Sequence, residues 1–142
     1  MLQFINVFKR YPGGVDALKS INFKLENGEM SFLTGHSGAG KSTLLKLIAL
    51  LEFSTQGQVL LDNQNMGRIS KRNIPYMRRK VGMIFQDHRL LHDRTVFDNV
   101  ALPLIIAGYQ HHDIQRRVRA ALDKVGLLGK ELRYPISLSG GE

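Results

Sequence analysis

The sequence predicts an α/β fold with a parallel sheet, and two adjoining segments carry that prediction. The apolar run MSFLT, residues 30–34, lacks polar alternation, which is typical of a strand buried on both faces. A glycine-rich loop follows it and leads into a helix predicted from Lys41 to Leu51. Strand, loop and helix in this order form the first half of a parallel α/β unit.

Shorter segments on either side of this unit predict four more strands. Residues 4–7 and 21–25 flank a YPGG turn, and apolar and polar side chains alternate in the second of them, so we expect an antiparallel pair. VLLD at residues 59–62 and VGMIF at residues 81–85 predict two more strands. These strands and the unit above make residues 1–86 a mixed strand and helix region.

Residues 87–142 predict a mainly helical region. Thr95 and Asp98 have the spacing of a capping box that opens a helix toward Ile106. Apolar residues at helical spacing from Ile114 onward predict a second helix that ends at Gly126. We expect the two regions, 1–86 and 87–142, to be parts of one domain.

Composition excludes several classes of protein. The chain has no cysteine, which excludes disulfides and thiolate metal sites. Its longest apolar run, residues 100–107, is far shorter than the ~18 residues of a membrane span, and the amino terminus lacks the features of a signal peptide. We therefore expect a cytoplasmic protein. The net charge of +8, concentrated in runs such as KRNIPYMRRK, indicates an anionic partner, and a nucleotide, a nucleic acid or an anionic lipid would each fit. A solvated helix face is the more common origin of such runs.

The segment GHSGAGKS fits the phosphate-binding pattern G-x-x-x-x-G-K-[ST] and has the strand and helix that this pattern requires. Its backbone N–H groups are expected to surround nucleotide phosphates, which Lys41 also contacts, while Ser42 binds Mg²⁺ and Thr43 donates to a phosphate oxygen. GTPases, kinases and transport ATPases share this loop, but the chain has no N-K-x-D element for guanine. The candidate nucleotide-binding residues are Gly35, His36, Ser37, Gly38, Ala39, Gly40, Lys41, Ser42 and Thr43.

A second glycine turn, LSGGE at Leu138–Glu142, admits two interpretations. Ser139 and Glu142 alone predict a capping box at a helix start. Beside a phosphate loop, the two glycines instead predict a helix N-terminus whose bare N–H groups form a second phosphate site.

Together these motifs resemble the ATP-binding cassette (ABC) ATPases, whose signature is L-S-G-G-Q/E, and the resemblance covers the whole chain. It implies a P-loop fold with an antiparallel β subdomain, a parallel-sheet core and a helical signature subdomain. It also implies that Tyr11 stacks on adenine and that Gln86 contacts Mg²⁺ and the attacking water. Leu50 and Asn63 stand where the family usually has glycine, and Ser54 stands where it often has proline.

In that family the signature serves the nucleotide held by the other subunit. The resemblance therefore implies a homodimer in the ATP-bound state, in which Ser139, Gly140 and Gly141 bind phosphate in trans. Hydrolysis in the family also requires a strand ending in Asp, a following Glu and a switch His, which have no place in these 142 residues. We thus expect the C-terminal core to be missing, the full-length protein to be an ATPase, and residues 1–142 alone to hydrolyse nothing.

His36 and the run QDHRLLHDRTV resemble the cell-division members of the family. This resemblance implies that Asp87–Asn99 binds an FtsX-like integral membrane protein at the cytoplasmic face of the bacterial inner membrane. The resulting complex is expected to control peptidoglycan hydrolysis. No nucleic acid is expected as a partner. Two alternatives remain. One is the ATPase of a lipoprotein-releasing or macrolide-type exporter, and the other is a nucleotide-binding fragment without turnover.

Overall fold

The computed structural model describes residues 1–85 and 87–141, which divide into two compact units, Met1–Met83 and Ile84–Glu142. The first unit is a four-stranded antiparallel sheet in the order β2-β1-β3-β4 with two α-helices and two short 3-10 helices, Met66–Arg68 and Lys71–Asn73. Its strands and α-helices are β1 (Leu2–Arg10), β2 (Asp16–Leu25), α1 (Lys41–Ile48), β3 (Gln56–Leu61), β4 (Gln64–Asn65) and α2 (Ile74–Arg78). The second unit contains α3 (Val96–Ile106) and α4 (His111–Lys124).

The sheet of the first unit contains a bulge in β1 that the apolar spacing requires. Phe4 and Val7 are both buried in the core although three positions separate them, which strict alternation does not allow. Asn6 adopts a left-handed φ of 46°, and the register with both neighbouring strands shifts here. Gly57 of β3 lies against this bulge, so that a Cβ at Gly57 would be 2.1 Å from the Asn6 carbonyl oxygen.

Helix α1 packs its apolar face on this sheet. Leu44 and Leu47 are buried with Phe4 and Val59 in one core cluster. The helix ends at Ile48, three residues before the predicted end, and Leu50 two residues later has a left-handed φ of 56°. This conformation explains why glycine suits the position, and burial of the Leu50 side chain at 1% exposure offsets its strain.

The turn from β3 to β4 shows why asparagine can stand at position 63. Asp62 and Asn63 form a two-residue hairpin loop with φ of 48° and 63°. Positive φ at both positions is the requirement of a type I′ turn, which asparagine tolerates better than most residues.

The strands predicted at residues 30–34 and 81–85 are not strands among the described residues. Met30, Phe32 and Ile84 are instead 79%, 83% and 95% exposed. An apolar run of this kind becomes a buried strand only when strands on both sides bond to it, and β1–β4 pair only with one another. The predicted parallel sheet is therefore absent from the part of the chain that the structure describes.

The second unit agrees with the predicted helices. Thr95 and Asp98 form the capping box at the start of α3, with Asp98 N donating to Thr95 Oγ1 over 3.1 Å. Helix α4 begins three residues before Ile114, and Gly126 beyond its end has a φ of 73°. Both helices bury apolar residues in one cluster, namely Val96, Ala101, Ile114, Val118 and Leu122. In the described chain, no helix combines the length and the apolar character that a membrane crossing needs.

Candidate functional site

The predicted phosphate loop is an exposed glycine-rich turn directly before α1. Gly35, Gly38 and Gly40 have φ of 149°, 82° and 89°, values that only glycine adopts at low cost. The amide of Ala39 donates to the His36 carbonyl over 3.2 Å and closes the turn. Because the residue before the helix is Gly40, no side chain of the described chain caps the first N–H groups of α1. These free donors and the helix dipole favour an anion at this end.

Lys41 lies folded back over the loop. Its Nζ donates to the Gly35 carbonyl over 2.6 Å and to the His36 carbonyl over 2.7 Å. The ammonium thus stands at the mouth of the turn without a carboxylate partner in the described residues. A cation in this position is available to an anion that the backbone N–H groups hold.

Gly40 also fixes the loop against the sheet. A Cβ on this residue would lie 2.4 Å from the Ala17 carbonyl oxygen and 2.8 Å from Leu18 Cδ2, both in β2. Any side chain here therefore moves the loop away from β2. The glycine is needed both for its φ and for this close approach.

Tyr11 lies beside the start of α1. Its hydroxyl is 3.4 Å from Oγ1 of Thr43, a buried polar residue at 9% exposure. Tyr11 follows directly after β1, and Thr43 is in the first turn of α1, so the structure brings these two predicted residues together. Ser42, between Lys41 and Thr43, is exposed.

Lys9 is a site residue that the sequence analysis missed. Its Nζ lies 4.9 Å from the centroid of the Tyr11 ring and bonds Glu52 Oε2 over 2.8 Å and the Phe53 carbonyl over 2.9 Å. This lysine holds the aromatic ring by a cation–π contact while it ties β1 to the segment after α1. The sequence could have indicated this role, because Lys9 lies two positions before Tyr11 and side chains two positions apart in extended backbone point to the same face.

An ion pair closes the turn that follows Tyr11. Arg10 donates to both oxygens of Asp16, with Nε 2.5 Å from Oδ1 and Nη2 3.0 Å from Oδ2. The hydrogen bond and the charge of Arg10 lower the pKa of Asp16, and this carboxylate raises the pKa of Arg10 in turn. The bidentate pair joins the end of β1 to the start of β2 and so fixes the base of the turn.

An apolar cavity of about 540 Å³ lies between β2, residues 29–34 and α1. Ile21, Phe23, Phe32 and Ile48 are among its lining residues, which also include Ala39, Gly40 and Lys41 of the phosphate loop. The apolar part of this lining does not suit phosphate, which needs N–H donors and cations. The loop part of the lining is therefore the anion site.

The segment predicted to meet a membrane protein, Asp87–Asn99, is held by its last residue. The Asn99 side-chain oxygen accepts from the Leu91 amide over 2.8 Å. Its Nδ2 donates to the carbonyls of Leu91, Arg94 and Thr95 over 3.0, 3.3 and 2.9 Å. One half-buried side chain thus fixes the turn before α3, on which Arg94 is exposed, and Arg89 is exposed two residues before Leu91. Nothing in the sequence pattern indicated this clamp.

We expect Asn99→Ala to loosen this segment. The change leaves the Leu91 amide without its partner and should lower the free energy of unfolding by about 1 to 3 kcal/mol. Hydrogen exchange at the Leu91 amide and urea unfolding of the full-length protein measure the effect. Asn73→Ala, at an exposed position, is the matched control and should stay within about 0.5 kcal/mol of the parent. Unchanged protection of the Leu91 amide would contradict the clamp.

The signature segment has no helix among its described residues. Ser139, Gly140 and Gly141 are exposed, and the helix start predicted there depends on Glu142 and so extends outside the described residues. A Cβ added at Gly140 or Gly141 would meet nothing within 4 Å. Two predicted residues, Gln86 and Glu142, lie outside the described residues.

Known proteins resemble this chain along its whole length. A profile of the ABC transporter family matches residues 18–142. Over all 142 residues the chain is 58% identical to the cell division ATP-binding protein FtsE of Escherichia coli and 44% identical to that of Bacillus subtilis, covering 64% and 62% of those proteins. It is also 48% identical over 136 residues, 96% of its length, to the methionine import ATP-binding protein MetN of Aliivibrio fischeri, of which it covers 40%.

Solved structures show the same fold. A dimeric ATP-binding cassette in a post-hydrolysis state with ADP and phosphate superposes with a TM-score of 0.90 at 33% identity, over 99% of this chain and 64% of the other. The CbiO1 cassette of Clostridium perfringens gives 0.86 at 28% identity, over 99% of this chain and 56% of that one. The predicted cassette fold is thus confirmed over the part of it that this chain spans. The chain belongs to the ABC transporter family of ATP-binding proteins.

Proposed function

We propose that this chain is the ATP-binding part of an ABC complex of the FtsE and FtsX type that acts in bacterial cell division. The observation that carries the nucleotide assignment is the uncapped start of α1 behind a glycine loop, with Lys41 Nζ at its mouth. The assignment to cell division is supported by the 58% identity to FtsE over every residue of the chain.

Each predicted residue then has a role toward Mg-ATP. The N–H groups of residues 35–40 and Lys41 hold the phosphates, and Ser42 holds Mg²⁺, which neutralises phosphate charge when it is bound. Tyr11 stacks on adenine, with Lys9 fixing its ring. Thr43, whose hydroxyl is close to that of Tyr11, couples the adenine and phosphate ends of the site.

ATP hydrolysis is proposed for the full-length protein. The matched FtsE proteins are longer than this chain, which spans 64% of the Escherichia coli protein. Gln86 is our candidate for contact with Mg²⁺ and the attacking water.

Two chains are proposed to share each nucleotide. Ser139, Gly140 and Gly141 of one chain would bind the phosphates held by the loop of the other. The exposure of this segment supports the idea, because a group that acts on another chain must be accessible. The solved cassette with bound ADP and phosphate, which has the same fold as this chain, is itself dimeric.

The membrane partner is proposed to dock on Asp87–Asn99. The Asn99 clamp holds the backbone from Leu91 to Thr95 and so presents Arg94 on a turn of fixed shape, which lowers the entropy lost when a partner binds. Arg89 is exposed two residues before this turn. The partner would be an FtsX-like integral membrane protein. The complex would control peptidoglycan hydrolysis from the cytoplasmic face of the inner membrane.

Charge reversal tests this docking surface. We expect the double variant Arg89→Glu with Arg94→Glu to reduce co-purification with FtsX at least tenfold. The introduced carboxylates would repel the groups of the partner that pair with arginine, both during the encounter and in the complex. Arg116→Glu with Arg117→Glu on α4 is the charge-matched control and should co-purify like the parent. Equal recovery of both double variants would contradict docking at Asp87–Asn99 and leave the nucleotide site untouched.

A second candidate, the ATPase of a methionine importer, is favoured by the 48% identity to MetN. This identity is lower than the 58% identity to FtsE. The identity of the membrane protein that co-purifies with the parent separates the two.

A further inference from the structure

We propose that a basic surface of the first unit binds the anionic headgroups of a lipid bilayer directly. No acidic residue occurs from residue 63 to residue 86, a stretch that contains six of the 20 lysines and arginines. All six are exposed, and we call five of them, Arg68, Lys71, Arg72, Arg79 and Lys80, the basic face, leaving out Arg78, whose side chain bonds the Leu50 carbonyl. The charge of this face is not used by the nucleotide site.

Buried side chains hold the basic face in place. Met66 and Met77 are 2% and 5% exposed, and Ile69 and Ile74 pack against the same core. Arg78 Nη2 donates to the Leu50 carbonyl over 2.8 Å and attaches α2 to the segment after α1. The cations are thus presented on an ordered surface, so little conformational entropy is lost on binding.

Four cations of this face are available to an anion. Within residues 1–85 and 87–141, no ion pair shorter than 4 Å joins Arg68, Lys71, Arg72 or Lys80 to a carboxylate. The hydrogen bond and the charge of the amino terminus lower the pKa of Asp62, and the charge of Lys80 lowers it further. The Asp62 carboxylate is therefore paired with the amino terminus and not with Lys80. A patch of this density therefore carries a strong positive potential.

The shape of the face favours a bilayer over nucleic acid. Helix α2 has five residues, about 7.5 Å, which is too short to lie along a major groove. Tyr76 is the one aromatic residue in residues 63–80, whereas single strands require several stacking platforms. It is 61% exposed, with the Arg79 guanidinium 5.3 Å from its ring centroid. An aromatic ring with a polar tip among cations suits the headgroup region of a bilayer.

Vesicle binding by the full-length protein, without its membrane partner, tests the proposal. Vesicles of phosphatidylcholine with about 30% phosphatidylglycerol should sediment the protein at about 0.1 M salt, and pure phosphatidylcholine should not. Replacing Lys71, Arg72 and Lys80 by Gln should weaken partitioning about a hundredfold, since each cation near an anionic surface contributes about fivefold. Tyr76→Ser, which removes no charge, should weaken it a few fold.

Charge-matched controls make the outcome decisive. Replacing Lys19, Lys124 and Arg117 by Gln removes the same charge elsewhere and should reduce binding no more than a few fold. Circular dichroism and melting check that both triple variants fold. Equal losses in the two triple variants, or equal binding to neutral vesicles, would overturn the proposal. Displacement from the vesicles by a short RNA or DNA duplex at equal phosphate concentration would identify nucleic acid as the preferred partner and also overturn it.

Discussion

Lys41→Ala is expected to weaken Mg-ATP binding by the full-length protein about a hundredfold. The lysine ammonium stands at the mouth of the phosphate loop and donates to two loop carbonyls. Removing it deletes a charge-assisted hydrogen bond to the phosphates and also releases the loop, together equivalent to about 2.7 kcal/mol. Titration with a fluorescent ATP analogue measures the dissociation constant.

Lys46→Ala is the matched control, because it removes the same charge from the last turn of the same helix. This variant should bind Mg-ATP like the parent, since Lys46 is exposed and lies beyond the first turn. Equal affinities of the parent and Lys41→Ala would contradict the phosphate site.

Gly57→Ala is expected to cause a large loss of stability in the sheet of the first unit. The new Cβ would lie 2.1 Å from the Asn6 carbonyl oxygen and 2.6 Å from that of Ile5, so β1 and β3 must separate at the bulge. The overlap adds to the strain of alanine at a φ of +80°. We expect a loss of about 2 to 5 kcal/mol in the free energy of unfolding, measured by urea denaturation.

Gly28→Ala separates the two causes. Gly28 has nearly the same φ, +81°, but a Cβ there would meet nothing within 4 Å. This control should lose only about 1 to 2 kcal/mol, the backbone cost alone. Equal losses in the free energy of unfolding for the two variants would show that the contact between residue 57 and the bulge does not contribute to the destabilisation.

Most features of the fold that depend on residues close together in the chain were predictable from the sequence. The capping box of Thr95 and Asp98, the end of α4 before Gly126 and the loop before α1 each depend on residues close together in the chain. Such features need only a few neighbouring side chains and backbone bonds, so a pattern identifies them.

Features that depend on distant partners were not predictable. MSFLT has the composition of a buried strand, but a strand also needs hydrogen-bonding neighbours, and Phe32 is 83% exposed. The Asn6 bulge depends on Gly57, which lies far along the chain in another strand. The Asn99 clamp depends on the path of the backbone from Leu91 to Thr95, to which composition gives no guide.

The phosphate loop of one chain and the signature of another are proposed to enclose the same nucleotide. Gly140→Asp tests the signature half, because the space around Gly140 admits a side chain and the added carboxylate repels phosphate. On its own, neither the Gly140→Asp variant nor the Lys41→Ala variant should form dimers in the presence of Mg-ATP.

Sedimentation velocity of the full-length variants, mixed in equal amounts with Mg-ATP, is the most direct measurement. A mixed pair contains one intact site, formed by the loop of the Gly140→Asp chain and the signature of the Lys41→Ala chain. We predict that the mixture forms ATP-dependent dimers that neither variant forms alone. A mixture that sediments as the sum of its two components would contradict the shared site.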